Sequence, residues 1–246
     1  MISNSRIKFV KSLQIKKFRR EHKLFLVEGA KSVLELLNSS YHIDSLFITA
    51  AFNDLYSKIL VNKVPFEIVS QKDLERLGEF VSNDSALAIV RMGENTELLL
   101  EGNEYILALD GISDPGNLGT IIRIADWYGI TKIICSENTA EVYNSKVISA
   151  SMGSFTRVRL YYCNLNEYLK KRKAPIYGAE LQGKDIHSVK FTSSGFIVLG
   201  SEAAGVSAEI QSLITEKITI PRYGAAESLN VAVAAAIICD NLKRII

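Results

Sequence analysis

Apolar positions along the chain fall into short runs separated by stretches with helical spacing. Leu24–Val27, Ser45–Thr49, Phe66–Val69 and Ala86–Arg91 have the length and Ile/Val/Leu/Phe content of strands. The basic stretch from Lys11 predicts a helix ahead of the first of them. Val33, Leu34, Leu36 and Leu37 give Ala30–Leu37 an amphipathic helical pattern, with further helices around Asp54–Val61 and from Ser70 to Leu77. The texture then breaks at Met92–Glu104, where Gly, Asn and Glu surround a Leu triplet. Beyond the break, strands are expected at Tyr105–Asp110, Lys132–Cys135, Arg157–Tyr162, Ile176–Glu180, Gly195–Gly200 and Lys217–Ile220. Helices are expected at Gly119–Tyr128, Ser145–Ala150, Leu165–Lys173, Ala208–Ile214 and Leu229–Ile245. The prevailing alternation of apolar strands with helices predicts an α/β fold whose parallel sheet is covered on both faces. The expected organisation is a small α/β domain over residues 1–92, a linker over 93–104 and a parallel-sheet domain over 105–246.

Composition adds exclusions. The 246 residues are 48% apolar and 23% charged, an ordinary globular balance. No apolar run approaches the roughly 18 residues that span a bilayer, and the first residues lack the apolar centre of a signal peptide, so a cytoplasmic protein with no membrane partner is expected. Cys135, Cys163 and Cys239 are odd in number and widely spaced, which argues against a disulfide framework or a zinc site. His22, His42 and His187 form no cluster, and no metal is expected.

Net charge hides a segmentation. Arg6, Lys8, Lys11, Lys16, Lys17, Arg19, Arg20, Lys23 and Lys31 face only Glu21 and Glu28 within residues 1–31, nine against two, or +7. Residues 32–95 carry five against nine, and 96–246 carry 15 against 16, so the total of +2 cancels a basic arm. Local charge of this kind suits phosphate contacts, although a basic helix is equally a solvated face.

Ligands of open parallel sheets gather at the carboxyl ends of strands, and three predicted loops there carry unusual residues. Asp110–Arg123 (DGISDPGNLGTIIR) holds three glycines, Asn117 as a cap for the next helix, and Arg123 inside it. It lacks the spacing of a dinucleotide fingerprint, which disfavours a nucleotide-dependent oxidoreductase. Gly200–Ser207 (GSEAAGVS) sets Glu202 between two glycines, which would let a ligand approach the backbone; it is not a nucleophile elbow. Pro221–Ala236 places Ser228 as the cap of an Ala-rich helix, with Asn230 oddly on its first turn.

Together, Asp-Pro-x-Asn-x-Gly…Arg, Gly-x-Glu-x-x-Gly and Ile-Pro…Glu-Ser-Leu-Asn-Val resemble the SpoU (TrmH-type) branch of the SPOUT methyltransferases over about 105–246. The basic arm with Phe25-Leu-Val-Glu28-Gly29 is similar to the small ribosomal-protein-like (L30e-like) substrate-binding domain of its rRNA-modifying members. The resemblance implies methyl transfer from S-adenosylmethionine to a ribose 2′-hydroxyl, most fittingly in 23S-type rRNA. It leaves open a tRNA methyltransferase or a non-catalytic RNA-binding protein that keeps the fold. It further implies a carboxyl-terminal trefoil knot, a feature nearly absent from other proteins, and a homodimer through the catalytic domain, with an arginine that can come from the neighbouring subunit. It assigns catalysis to Arg123, with Asn117, Glu202, Ser228 and Asn230 around it. The cofactor falls to Leu199, Gly200, Gly205, Ile220, Pro221, Ser228 and Leu229. RNA falls to Arg6, Lys8, Lys11, Lys16, Lys17, Arg19, Arg20, Lys23, Glu28 and Arg123. Arg222 and the pair Ala203-Ala204 depart from the family pattern without removing a matched polar residue.

Overall fold

The computed structural model describes residues 2–60 and 63–245. In chain order the elements are α1 (Asn4–Ser12), α2 (Lys16–His22), β1 (Leu24–Glu28), α3 (Ala30–Leu37), β2 (Ile43–Ile48), α4 (Ala50–Leu60), β3 (Glu67–Ile68), α5 (Gln71–Leu77) and β4 (Ala86–Arg91). They continue as β5 (Tyr105–Asp110), α6 (Pro115–Trp127), β6 (Lys132–Ser136), α7 (Ser145–Ser151), β7 (Arg159–Cys163), α8 (Leu165–Lys170) and β8 (Ile176–Asp185). The last are β9 (Gly195–Gly200), α9 (Ala208–Gln211), β10 (Glu216–Thr219) and α10 (Val231–Ile245). The chain forms two units, one of residues 1–94 with 143–156, the other of 95–142 with 157–246.

The first unit is built on a four-stranded sheet ordered β1-β4-β2-β3, with β4 antiparallel to β1 and β2, and β3 parallel to β2. Both faces of its central strands are buried, so successive side chains serve opposite cores. Phe25, Val27, Ala86, Ala88 and Val90 pack with Val33 and Leu36 of α3, while Leu26, Leu87 and Ile89 pack with Val10, Leu13, Leu74 and Leu77. The first core is completed by Ile148 and Phe155, and Phe155 meets Phe25 edge-on at 6.2 Å between centroids. The segment 143–156, expected within the second domain, therefore clusters with the first unit.

The basic helix expected from Lys11 is instead two helices. Leu13 is buried, and the chain between α1 and α2 is extended at Ile15 (φ −96°, ψ 126°). The Arg19 guanidinium donates to the freed carbonyls of Leu13 (3.0 Å) and Gln14 (2.7 Å). An apolar anchor and a buried donor at the break outweigh the helix propensity of the lysines.

The second unit is a six-stranded parallel sheet ordered β10-β8-β9-β5-β6-β7. β5 and β9 are adjacent along their whole lengths, from Tyr105 beside Gly195 to Asp110 beside Gly200. The chain moves away on one side through β6 and β7, then returns on the other through β8 and β9. The loops after Asp110 and Gly200 thus leave the sheet side by side at this switch point, the place where such sheets hold ligands.

The segment 95–104, expected as a linker, is fastened to the second unit. The Asn95 side chain accepts from Tyr162 N–H and donates to its carbonyl, both at 2.9 Å. Leu98 is buried, and Glu97 pairs with Arg172 at 2.6 Å. The buried Lys132 ammonium donates to the Leu99 carbonyl (2.8 Å), Glu101 (3.0 Å) and Glu104 (2.6 Å). Three acceptors around one buried ammonium meet the rule that buried charge must be paired.

Candidate functional site

The loop after β5 is shorter than the sequence suggests, because α6 starts at Pro115 rather than Gly119. Asp114 caps it, accepting from Asn117 N–H at 2.8 Å, with proline in the first turn, where no donor is needed. Asn117 is therefore freed from the capping role expected for it, and its side chain is available to the site. Gly111 takes φ +71°, and its N–H donates to Ser136 Oγ at 2.8 Å. Ser136 also bonds Asn138 and Thr139, and Thr139 reaches the Leu109 carbonyl, so the loop after β6 braces the loop after β5. Sequence reasoning passed over this brace because Ser, Asn and Thr after a strand look like any turn.

After β9 the chain makes a tight hairpin, with Ser201 and Gly205 exchanging both backbone bonds (3.0 and 2.8 Å). Asp110 Oδ2 fixes its exit by accepting from Ser207 N–H at 2.7 Å. A Cβ on Gly200 would stand 2.1 Å from Gly205 C and 2.2 Å from Val206 N. The glycine expected to admit a ligand thus also admits the chain's own backbone.

Asn230, rather than Ser228, caps α10. Its Oδ1 accepts from Ala232 N–H (3.0 Å) and Val233 N–H (3.3 Å), which removes the oddity of an asparagine inside the helix. Its amide then points both hydrogens outward, to Glu202 Oε1 at 2.6 Å and Asn117 Oδ1 at 2.8 Å. Three side chains distant in the chain, from the first turn of α6, the hairpin after β9 and the cap of α10, meet at one amide. The acceptor side of Asn230 is committed to the helix, so its amide orientation is fixed and its two donors are fixed with it.

Arg123 lies two turns into α6, exposed and without an ion pair among the described residues. Leu199 is buried, Gly200, Ile220 and Pro221 are partly exposed, and Gly205 and Ser228 are exposed; Leu229 presents 47% of its surface. From 222 to 230 every residue is exposed, and Arg222 donates across this loop to the Ala226 carbonyl at 3.3 Å.

The expected RNA contacts divide. Lys8, Lys11, Lys16, Lys17, Arg20 and Lys23 are exposed on the first two helices and their exit. Arg6 is paired with Glu67 at 2.6 Å and lies over the Phe47 ring. Arg19 is 3% exposed and serves the helix break. Glu28 is buried and accepts from Glu79 N–H (2.9 Å) and Phe80 N–H (3.3 Å), and burial pushes its carboxyl above the usual carboxylate range. Arg19, which charge and resemblance had offered to RNA, and Glu28, which the resemblance alone had offered, both serve the first unit's own structure.

Burial raises the cysteine thiols as well, Cys163 to about 11 and Cys239 to about 12, which disfavours their thiolate forms at neutral pH. Among the described residues no His, Cys, Asp and Glu group could hold a metal, and no helix is long and apolar enough to cross a membrane.

Comparison with known proteins gives two family matches, the SpoU rRNA Methylase family over residues 104–240 and the MRM3-like substrate binding domain over residues 4–88. The chain is 32% identical over 247 aligned positions to the 23S rRNA (guanosine(2553)-2'-O)-methyltransferase RlmP of Bacillus subtilis (strain 168), covering 98% of this chain and 96% of that one. A solved structure from Porphyromonas gingivalis, assigned to the TrmH family of RNA methyltransferases, is 35% identical, with TM-score 0.89 and 99% of each chain covered. The AdoMet-bound rRNA methyltransferase from Sinorhizobium meliloti is 25% identical, with TM-score 0.87, covering 99% of this chain and 96% of that one.

Proposed function

As the chain belongs to the SpoU rRNA methylase family, we propose that it methylates a ribose 2′-hydroxyl of 23S-type rRNA, using S-adenosylmethionine, in the cytoplasm. The observation that carries this is the Asn230 amide joining Asn117 and Glu202 where β5 and β9 end. The MRM3-like match over 4–88 supports a substrate-holding role for the first unit, and the RNA named for the Bacillus subtilis relative supports rRNA over tRNA.

The residues fit the cofactor. Ile220 and Leu229 place apolar side chains at the two ends of the exposed stretch 222–228, which suits a ligand with both apolar and polar parts. When bound, S-adenosylmethionine supplies an electrophilic methyl on a sulfonium. Leu199, Gly200, Gly205, Ile220, Pro221, Ser228 and Leu229 would hold it, mainly through backbone. Asn117, Glu202 and Asn230 keep the three loops in register around it, and Ser228 sits two residues ahead of the cap.

Arg123 binds the RNA phosphate next to the target ribose and orients the hydroxyl. A guanidinium holds its proton in water, so Arg123 orients the hydroxyl rather than taking its proton, which departs to solvent with the assistance of that phosphate. Alignment of this kind removes several kcal/mol of barrier. Lys8, Lys11, Lys16, Lys17, Arg20 and Lys23 grip the RNA backbone in the first unit. Exposed apolar Trp127 on α6 and Val233 on α10 support a homodimer through the catalytic unit, and the order β10-β8-β9-β5, with loops 201–207 and 220–230 at one end, supports a trefoil knot.

Mapping 2′-O-methyl sites in total RNA from cells lacking the protein tests the reading. One site in large-subunit rRNA should disappear, and purified protein should bind S-adenosylmethionine. No lost site and no binding would sink it. Arg123→Lys is expected to lower turnover about tenfold or more, because one ammonium cannot replace a planar fork. Near-wild-type turnover would rule out a need for the fork.

A further inference from the structure

At one end of the four-stranded sheet, three irregularities of the first unit meet. Lys23 closes α2 in the left-handed region (φ 56°), where a glycine or asparagine would be cheaper. Asp44 is the extra residue of a β-bulge, because Ile43 pairs with Val90 while Ser45 pairs with Ile89. Arg91 ends β4 beside Leu24 and is the single exposed residue of that strand. Bulges and left-handed residues gather where a side chain must be re-aimed. Here they surround a concavity of about 350 Å³ lined by His22, Lys23, Leu24, Asp44, Arg91 and Met92.

The charges around this concavity do not neutralise one another. Asp44 receives one hydrogen bond, from Ser45 Oγ at 3.3 Å, and among the described residues neither Lys23 nor Arg91 forms an ion pair with it. His22 rests edge-on against Phe9 at 5.2 Å, and the Lys23 carbonyl is taken by Met92 N–H at 2.8 Å, which ties α2 to the end of β4. A ligand that suits both signs at once carries a phosphate for the two cations and N–H donors for the carboxylate. Its flat body would lie on Leu24 and Met92.

We propose that this concavity takes a single unstacked nucleotide of the RNA substrate, guanosine in preference to the other three, and that it is a docking site separate from methyl transfer. The proposal rests on the RNA reading above. Guanine alone offers two adjacent donors, N1–H and the 2-amino group, to one carboxylate, whereas uracil, cytosine and adenine each oppose the Asp44 oxygens with an acceptor. Sequence-specific binding of RNA works on such splayed bases. Lys23 and Arg91 bind the phosphate whatever the base.

The test uses the full chain with 5′-GMP, 5′-AMP, guanosine and inorganic phosphate as probes, followed by amide chemical shifts. GMP should shift Lys23, Asp44, Arg91 and their neighbours, with AMP at least fivefold weaker, and phosphate alone should shift Lys23 and Arg91 but leave Asp44. In methyl transfer to rRNA, Asp44→Asn and Arg91→Ala should each raise KM about tenfold and leave kcat unchanged. Asp44→Asn keeps the size of an exposed residue, so it remains informative if Arg91→Ala folds poorly. Equal shifts with GMP and AMP, shifts confined to residues 200–230, or an unchanged KM in Asp44→Asn would overturn the proposal. Wild-type protein that methylates no RNA would instead remove the activity reading, and the GMP shifts would still decide the docking site.

Discussion

Asn230 serves two masters with one side chain, and the two can be separated. Replacement by alanine removes the cap of α10, worth about 1 kcal/mol, and the donors to Asn117 and Glu202. Asn230→Ser keeps a capping oxygen without the bridging amide. Thermal melts should therefore show Asn230→Ser close to wild type and Asn230→Ala below it, while both lose about 100-fold in methyl transfer through misplaced loops. Equal activity in Asn230→Ser and wild type would show that the bridge has no part in turnover. Glu28 gives a pH signature at the same scale. Its carboxyl is raised by burial in the folded chain, so the native state holds a proton that the unfolded chain has already released. Wild-type stability thus falls as pH rises from the ordinary carboxylate value through the raised one. Glu28→Gln has no such proton, so its stability relative to wild type should rise over that window and then level off in denaturant titrations. A constant difference from pH 4 to 8 would contradict the burial argument.

Among the elements, the hairpin after β9 shows why a glycine can be required by the chain itself. Gly200→Ala sets a methyl against the backbone of Gly205 and Val206, none of which can rotate aside. Overpacking of this type costs about 1–3 kcal/mol, and the displaced hairpin should weaken S-adenosylmethionine binding in a direct titration. Gly205→Ala meets no atom within 4 Å and bears only the strain of φ +67°, about 1–2 kcal/mol. Cofactor affinity should therefore suffer more at Gly200 than at Gly205, and the reverse order would show that turn conformation matters more than close approach. The capping assignments teach a related lesson. Ser228 and Asn117 both had the right chemistry for caps, but Asn230 and Asp114 hold those positions because the helices start two residues later and four residues earlier than periodicity indicates. Side-chain preference identifies who can cap; the path of the preceding loop determines who does.

For the whole molecule, the boundary in sequence and the boundary in space differ. Ile148 and Phe155 lie between β6 and β7 in the chain, yet they fill the core around Phe25. A fragment of residues 1–94 would leave that core open, so it should melt broadly and bind a hydrophobic dye, with cooperative unfolding seen only in the full chain. A sharp melt of the fragment would show that 143–156 is dispensable. The sequence by itself determined the alternation of strands and helices, the parallel sheet, the basic arm, and the family to which three ordered loops belong. These are local in origin, since apolar period, glycine and proline placement and charge runs are read within a few residues. Only the tertiary structure decided that Arg19 and Glu28 are buried supports, that residues 95–104 are strapped down by Lys132, and that Asn117, Glu202 and Asn230 touch. Each of those depends on which strands become neighbours, and the β5–β9 pairing joins residues about 90 apart in the chain through non-local contacts that no short window of sequence contains.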